Sequence, residues 1–156
     1  FYEMQELGFN YRLTDIQAAL GYSQLKKIDH FIKRRRKIVA RYNEVFKDVS
    51  FLRVPFEREK VFSAFHLYVL QIDFEGLGKT RAQVMQELKK QGIGTQVHYI
   101  PVHLQPYYRE HFGFKEGDYP GSEDYYRHCL SIPLYPRMTG DNVDQVIEAI
   151  LSLNKL

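Results

Sequence analysis

The order of segments predicts an α+β fold: a long N-terminal helix, then a small, mostly antiparallel sheet with helices packed on one face. Three observations carry this expectation. A helix-period stripe of apolar residues runs from Ile16 to Val49. Four short apolar runs that read as strands follow it, around Phe51, Phe65, Thr95 and Leu130. Threonines with helix-capping character stand at Thr14, Thr80 and Thr139, just ahead of helical patterns.

Thr14 and Gln17 have capping-box spacing, with the hydroxyl free to accept the N–H three residues on. Behind them Ile16, Leu20, Ile28, Phe31, Ile32, Val39, Tyr42, Val45, Phe46 and Val49 recur at three- and four-residue steps. The stripe spans about nine turns at 3.6 residues per turn. It predicts one long helix, or two with a bend near Asp29. Gly21 inside it costs about 1 kcal/mol against alanine, which a close helix crossing would explain.

Phe51 to Pro55 reads as a short strand and Phe65 to Phe74 as a longer one. Glu75 to Lys79 is a loop. Thr80 and Gln83 repeat the box ahead of a short helix bearing Val84, Met85 and Leu88, with Gly92 as its stop. Thr95 to Ile100 is a strand ended by Pro101. Gln105 to Gly121 is broken by prolines and glycines into short helical turns and loop. Ser122 is the expected cap of a helix through Cys129. Leu130 opens a strand, and Thr139 caps a last helix striped by Val143, Val146, Ile147 and Ile150.

The chain has 156 residues, 44% hydrophobic and 26% charged. A domain of this size buries roughly two-thirds of its unfolded surface. The apolar runs are too short for a membrane helix, and no signal-peptide pattern is visible. The lone cysteine, Cys129, cannot form an internal disulfide, so a reducing, cytoplasmic setting is expected. A net charge of +3 is too small to argue for nucleic acid. Beginning at Phe1 rather than methionine, the sequence reads as a processed or excised piece.

Several groups are candidates for chemistry. Lys33 to Lys37, "KRRRK", reads as the solvated face of the long helix, with Arg35 near the apolar stripe and able to lay its stem over the core. His98 and His103 stand five apart across a proline, a spacing unlike zinc sites, so no metal is expected. Tyr99 and His103 can instead line a pocket where the strand leaves the sheet. His128 beside Cys129 is a poor catalytic pair, because neighbours on a helix face different ways. For Asn10-Tyr11-Arg12 two readings stand. One is a turn residue and a helix-flanking arginine. The other is an anion contact, since an amide and a guanidinium donate well to phosphate beside the positive end of a helix.

At this point whole blocks match a known family. "GFNYRLTDIQAALGYSQLKKID" from Gly8, "HYIPVHLQPYY" from His98 and "LSIPLYPRMTGDNVDQVIEAI" from Leu130 resemble, in order, the DegT/DnrJ/EryC1/StrS family. These are sugar aminotransferases of the fold-type I group that use pyridoxal phosphate. The resemblance covers only the family's C-terminal part. It implies a cofactor-contacting segment and linking helix over 1–50 and a small C-terminal domain over 51–156. It implies that Asn10 donates to the phosphate of cofactor held by the partner subunit of a homodimer. By the same resemblance Arg12, Tyr99 and His103 face the substrate, a keto sugar on UDP or dTDP, with glutamate as amino donor and no role for nucleic acid or membrane. The wording is similar to the branch acting on UDP-linked 4-keto amino sugars, the UDP-4-amino-4,6-dideoxy-N-acetyl-altrosamine transaminases. The family's Schiff-base lysine lies upstream, and the eleven lysines here read as solvated or loop residues, so this chain alone is expected to be inactive. A sugar dehydratase of the same family, or a non-catalytic interaction module on the same domain, are the alternatives.

Overall fold

The structure is a computed structural model that describes residues 3, 5–9 and 11–154. Helix α1 covers Asp15–Leu25 and α2 covers Ile28–Phe46. Strand β1 is Leu52–Arg53, β2 is Tyr68–Ile72, and helix α3 is Arg81–Lys90. A 3₁₀ turn over Val102–Leu104 leads into α4, Pro106–Phe112, and α5, Pro120–His128. Strand β3, Cys129–Ile132, and α6, Gly140–Leu151, complete the order. The sheet runs β1-β2-β3 and is antiparallel throughout, with Leu52 opposite Ile72 and Leu70 opposite Leu130. The α+β expectation holds.

The three threonine caps form as the spacing requires. Thr14, Thr80 and Thr139 each accept from the third residue of their helix, and Gln17, Gln83 and Asn142 answer the cap's own N–H. The apolar stripe breaks at Lys26–Lys27, just ahead of Asp29, so two helices replace one. Its second half packs: Ile38, Val39, Tyr42 and Phe46 are buried. Its first half does not, for no described residue of α1 is buried. Nothing approaches Gly21, so the close crossing expected there is absent from the described chain.

Two expectations are corrected. Thr95 to Ile100 forms no strand; a single bridge joins Gln96 to Ser131. The ladder cannot grow either way. Towards Gly94 the facing residue is Pro133, which has no N–H. Towards His98 it is Cys129, whose N–H is spent on Tyr125 O at the end of α5. Ser122 does not cap α5. Pro120, with its φ fixed for a first helical position, starts the helix earlier, and Ser122 falls within the first turn.

One core joins these elements. Tyr68, Leu70 and Ile72 alternate inward along β2, all of β3 is buried, and Val84 with Leu88 and Val146 with Ile150 close over them. Tyr42 and Tyr68 meet edge-on, ring centroids 5.0 Å apart. Burial raises both phenol pKa values above the ordinary range. The Tyr42 hydroxyl donates to Pro133 O at 3.0 Å, and that of Tyr68 to Asn43 Oδ1 at 2.8 Å.

Candidate functional site

The segment ahead of α1 is laid out in the open. Arg12 is exposed, and Tyr11, 92% exposed, stacks on Phe9 at 5.7 Å rather than packing into the core. Asn10 lies outside the described residues. Thr14 fixes the start of α1, so the free N–H groups of its first turn and the Arg12 side chain stand on one short stretch. Leu7, Phe9, Leu13, Ile16 and Leu20 are each exposed by more than half.

The second region lies past the Gln96 bridge. His98 Nδ1 is 2.8 Å from Ser131 Oγ, which ties the segment after the bridge to β3. Tyr99 is 72% exposed, its ring edge-on to His98 at 4.8 Å. His103 is only 7% exposed. It sits on the 3₁₀ turn, with Nε2 2.8 Å from Glu123 Oε1. Glu123 is equally buried and also accepts from Gly117 N at 2.9 and 3.0 Å and from Tyr119 N at 3.4 Å. The His103 contact, helped by those backbone donors, holds its carboxyl below the usual carboxylate range against the opposing pull of burial.

His103 lines a cavity of about 360 Å³ with Val102, Tyr108, Phe114, Tyr119 and Ser122. Tyr99 is not in that wall. The residues expected at the substrate side therefore divide: His103 is held inside an aromatic cavity, Tyr99 stands on the surface, and Arg12 belongs to the α1 entry. Glu123 was not legible as a site residue. Its one signal is "PGSE", a helix-starting proline with an acid three residues on.

The basic run is not a solvated face. Lys33 and Lys37 are exposed, but Arg34 donates to Met138 O, and Arg36 grips Glu57 through two bonds of 2.8 and 2.9 Å. Arg36 also donates to Ser63 O at 2.9 Å and lies under Phe62, 4.1 Å from its ring centroid. Arg35 does draw inward as expected, leaving its Nε buried without a partner. His128 Nδ1 is 2.8 Å from Asp124 O, and burial pushes the Cys129 thiol up, so the two make no nucleophile–base pair. Among the described residues no three His, Cys, Asp or Glu gather as metal ligands. No described helix is long and apolar enough to cross a membrane.

The described chain is thus a small antiparallel α+β domain with an exposed apolar helix and an exposed arginine on its N-terminal side. The sequence comparison makes that class specific: the DegT/DnrJ/EryC1/StrS aminotransferase family matches residues 1–151, and the chain belongs to it. It is 46% identical over 156 residues to the spore coat polysaccharide biosynthesis protein SpsC of Bacillus subtilis, covering 99% of this chain and 40% of that protein. Helicobacter pylori PseC, an aminotransferase in pseudaminic acid biosynthesis, superposes with a TM-score of 0.87 at 28% identity, over 98% of this chain and 40% of its own. A putative sugar aminotransferase of Streptococcus pneumoniae, Spr1654, solved in its pyridoxal phosphate form, gives 0.82 at 31% identity, over 92% and 36%. The chain thus spans about 40% of the length of the curated relatives it matches. Aminotransferases of this family use pyridoxal phosphate.

Proposed function

We propose that this chain is the C-terminal part of a pyridoxal-phosphate-dependent aminotransferase that moves an amino group from glutamate to a keto sugar carried on UDP or dTDP. The observation that carries the reading is the family match across residues 1–151. The polysaccharide role in the name of SpsC and the pseudaminic acid role of PseC support a sugar substrate; the UDP-linked 4-keto amino sugar is the form that the resemblance of the three sequence blocks suggests. Residues 1–50 act as cofactor-contacting segment and linking helix, and 51–156 as the small domain of a cytoplasmic homodimer.

Pyridoxal phosphate, when bound, supplies the electron sink for moving the amino group. The described residues fit only part of its surroundings. Among them Lys79 alone of the lysines is half-buried, and its Nζ is engaged by Glu87 Oε2 at 2.8 Å and Leu153 O at 2.9 Å. An attachment lysine needs a desolvated, uncommitted amine, which none of the described lysines offers; the family resemblance puts that residue upstream. The α1 entry suits a different task. Asn10 donates to the cofactor phosphate of the partner subunit, and Arg12 favours negative charge on cofactor or substrate. Tyr99 and His103 serve the sugar side.

The test uses the full-length protein. With glutamate as donor, transfer is assayed on UDP-linked and dTDP-linked keto sugars; loss of water from the sugar without transfer would replace this reading with a dehydratase. Asn10→Ala removes a charge-assisted bond of about 1.5–3 kcal/mol and should weaken cofactor binding by roughly one to two decades. Unchanged affinity in a fluorescence titration would take Asn10 out of the phosphate site. The 156-residue chain alone should neither bind the cofactor covalently nor turn over.

A further inference from the structure

Glu123 has three partners on two stretches of chain, the 3₁₀ turn and the loop that leads into α5. His103 lies on the 3₁₀ turn, Gly117 in the loop after α4, and Tyr119 at the start of α5. Helix α5 does not need this carboxylate to begin, since Pro120 occupies its first turn and Tyr119 O already accepts from Ser122 and Glu123. A buried polar contact is weak support for a fold, because well-packed apolar groups commonly stabilise as much. It is strong at fixing geometry. A carboxylate accepting from Nε2 requires the proton on that nitrogen, which sets the tautomer and the ring plane of His103. The His103 ring in turn lies 4.8 Å from Tyr119, which meets Phe114 at 5.8 Å. His103, Phe114 and Tyr119 all line the same cavity.

We propose that Glu123 is a positioning residue for sugar-substrate binding: it locks the His103 ring and the Gly117–Tyr119 turn so that His103, Phe114 and Tyr119 stand as one preset wall. This rests on the reading above, in which His103 serves the sugar side. Without Glu123 the wall keeps its residues but loses its fixed arrangement. Substrate then has to order it on binding, at a cost in affinity. The wall is assigned to the sugar alone, so the glutamate half-reaction serves as the internal control.

The experiment measures the two half-reactions separately in full-length enzyme, for wild type, Glu123→Gln, His103→Ala and the double variant, with melting temperatures alongside. Glu123→Gln should raise KM for the keto sugar about five- to tenfold and leave the glutamate half-reaction and the cofactor absorbance unchanged. Because Glu123 holds the Gly117–Tyr119 turn as well as His103, the KM of the double variant should exceed that of His103→Ala alone, but by less than the product of the two single effects. A wild-type KM in Glu123→Gln, whatever its melting temperature, or effects that multiply in the double variant, would overturn the role of Glu123. Should Glu123→Gln fail to fold, Glu123→Asp keeps the charge one methylene short of its partners, and the same split decides. A wild-type enzyme that transfers nothing to any nucleotide sugar, or a His103→Ala variant with unchanged KM, overturns the reading of the site itself.

Discussion

The Tyr68 hydroxyl sits in the core with Asn43 Oδ1 as its acceptor, 2.8 Å away. Tyr68→Phe keeps the ring and removes only the donor, leaving a half-buried carbonyl oxygen short of a bond. A loss of about 1–2 kcal/mol is expected in urea unfolding, with an unchanged denaturant slope. A loss below a few tenths would mean that water replaces the hydroxyl. Leu88 has no polar role. It is fully buried, so Leu88→Ala should cost about 2–5 kcal/mol through lost transfer energy and the cavity left behind. Tyr42 and Leu88 are legible in the sequence on apolar helix faces, and Tyr68 as part of an apolar strand. That each phenol finds one particular acceptor is not, because Asn43 and Pro133 approach only once helix and sheet have packed.

Helix α3 ends as its sequence says it should. Gly92 adopts φ 80°, its N–H donates to Lys89 O at 3.0 Å, and Ile93 N–H reaches Leu88 O at 2.9 Å. An added Cβ would meet only the end of Gln145, 3.9 Å away, so Gly92→Ala tests the backbone alone. It should destabilise by about 1–2 kcal/mol, read from a thermal or urea melt. The loop between β1 and β2 is held differently, by the Arg36 grip on Glu57. That contact and the Ser63 N–H, at 2.6 Å from Oε1, bring the Glu57 carboxyl down to about 2 from 4.5. The folded protein therefore binds this proton less readily than the unfolded chain. Its contribution is complete above about 4.5 and fades as pH falls towards about 2. Melting temperatures between those limits should drop less steeply in Glu57→Gln than in wild type; parallel curves would show that the pair contributes nothing. Neither "KRRRK" nor "FEREK" announced this pair. Arg36 and Glu57 lie 21 residues apart, and their meeting depends on where the loop returns over α2.

At the scale of the whole molecule, the chain divides into a packed part and an unpacked one. Every buried apolar residue described lies at Ile38 or beyond, while α1 and the described residues before it expose their leucines, isoleucines and aromatics. Contiguous apolar surface of this kind drives association. The 156-residue chain should therefore self-associate, with sedimentation coefficients that rise with concentration. Ile16→Glu with Leu20→Lys should suppress the rise while leaving the melting temperature of the packed part within about a degree, since neither side chain touches its core. A chain that stays monomeric at all concentrations would mean that this face is covered by its own residues.

The sequence by itself determined what is local. Three threonine caps, the glycine stop after α3 and the stripe of α6 depend on neighbours within one or two turns, and each formed where its spacing required. The resemblance in its three blocks likewise placed the chain in its family before any fold was known. Tertiary structure decided what depends on distant partners competing for the same groups. Pro133 and the Cys129 N–H ended the ladder at Gln96, arginines of a seemingly solvated run were drawn to Met138 and Glu57, and His103 was turned inward onto Glu123. A backbone donor can be used once, and the Arg36 and His103 contacts form only where partners 20 or more residues away are brought alongside. Such choices are made by packing, after local propensity has had its say.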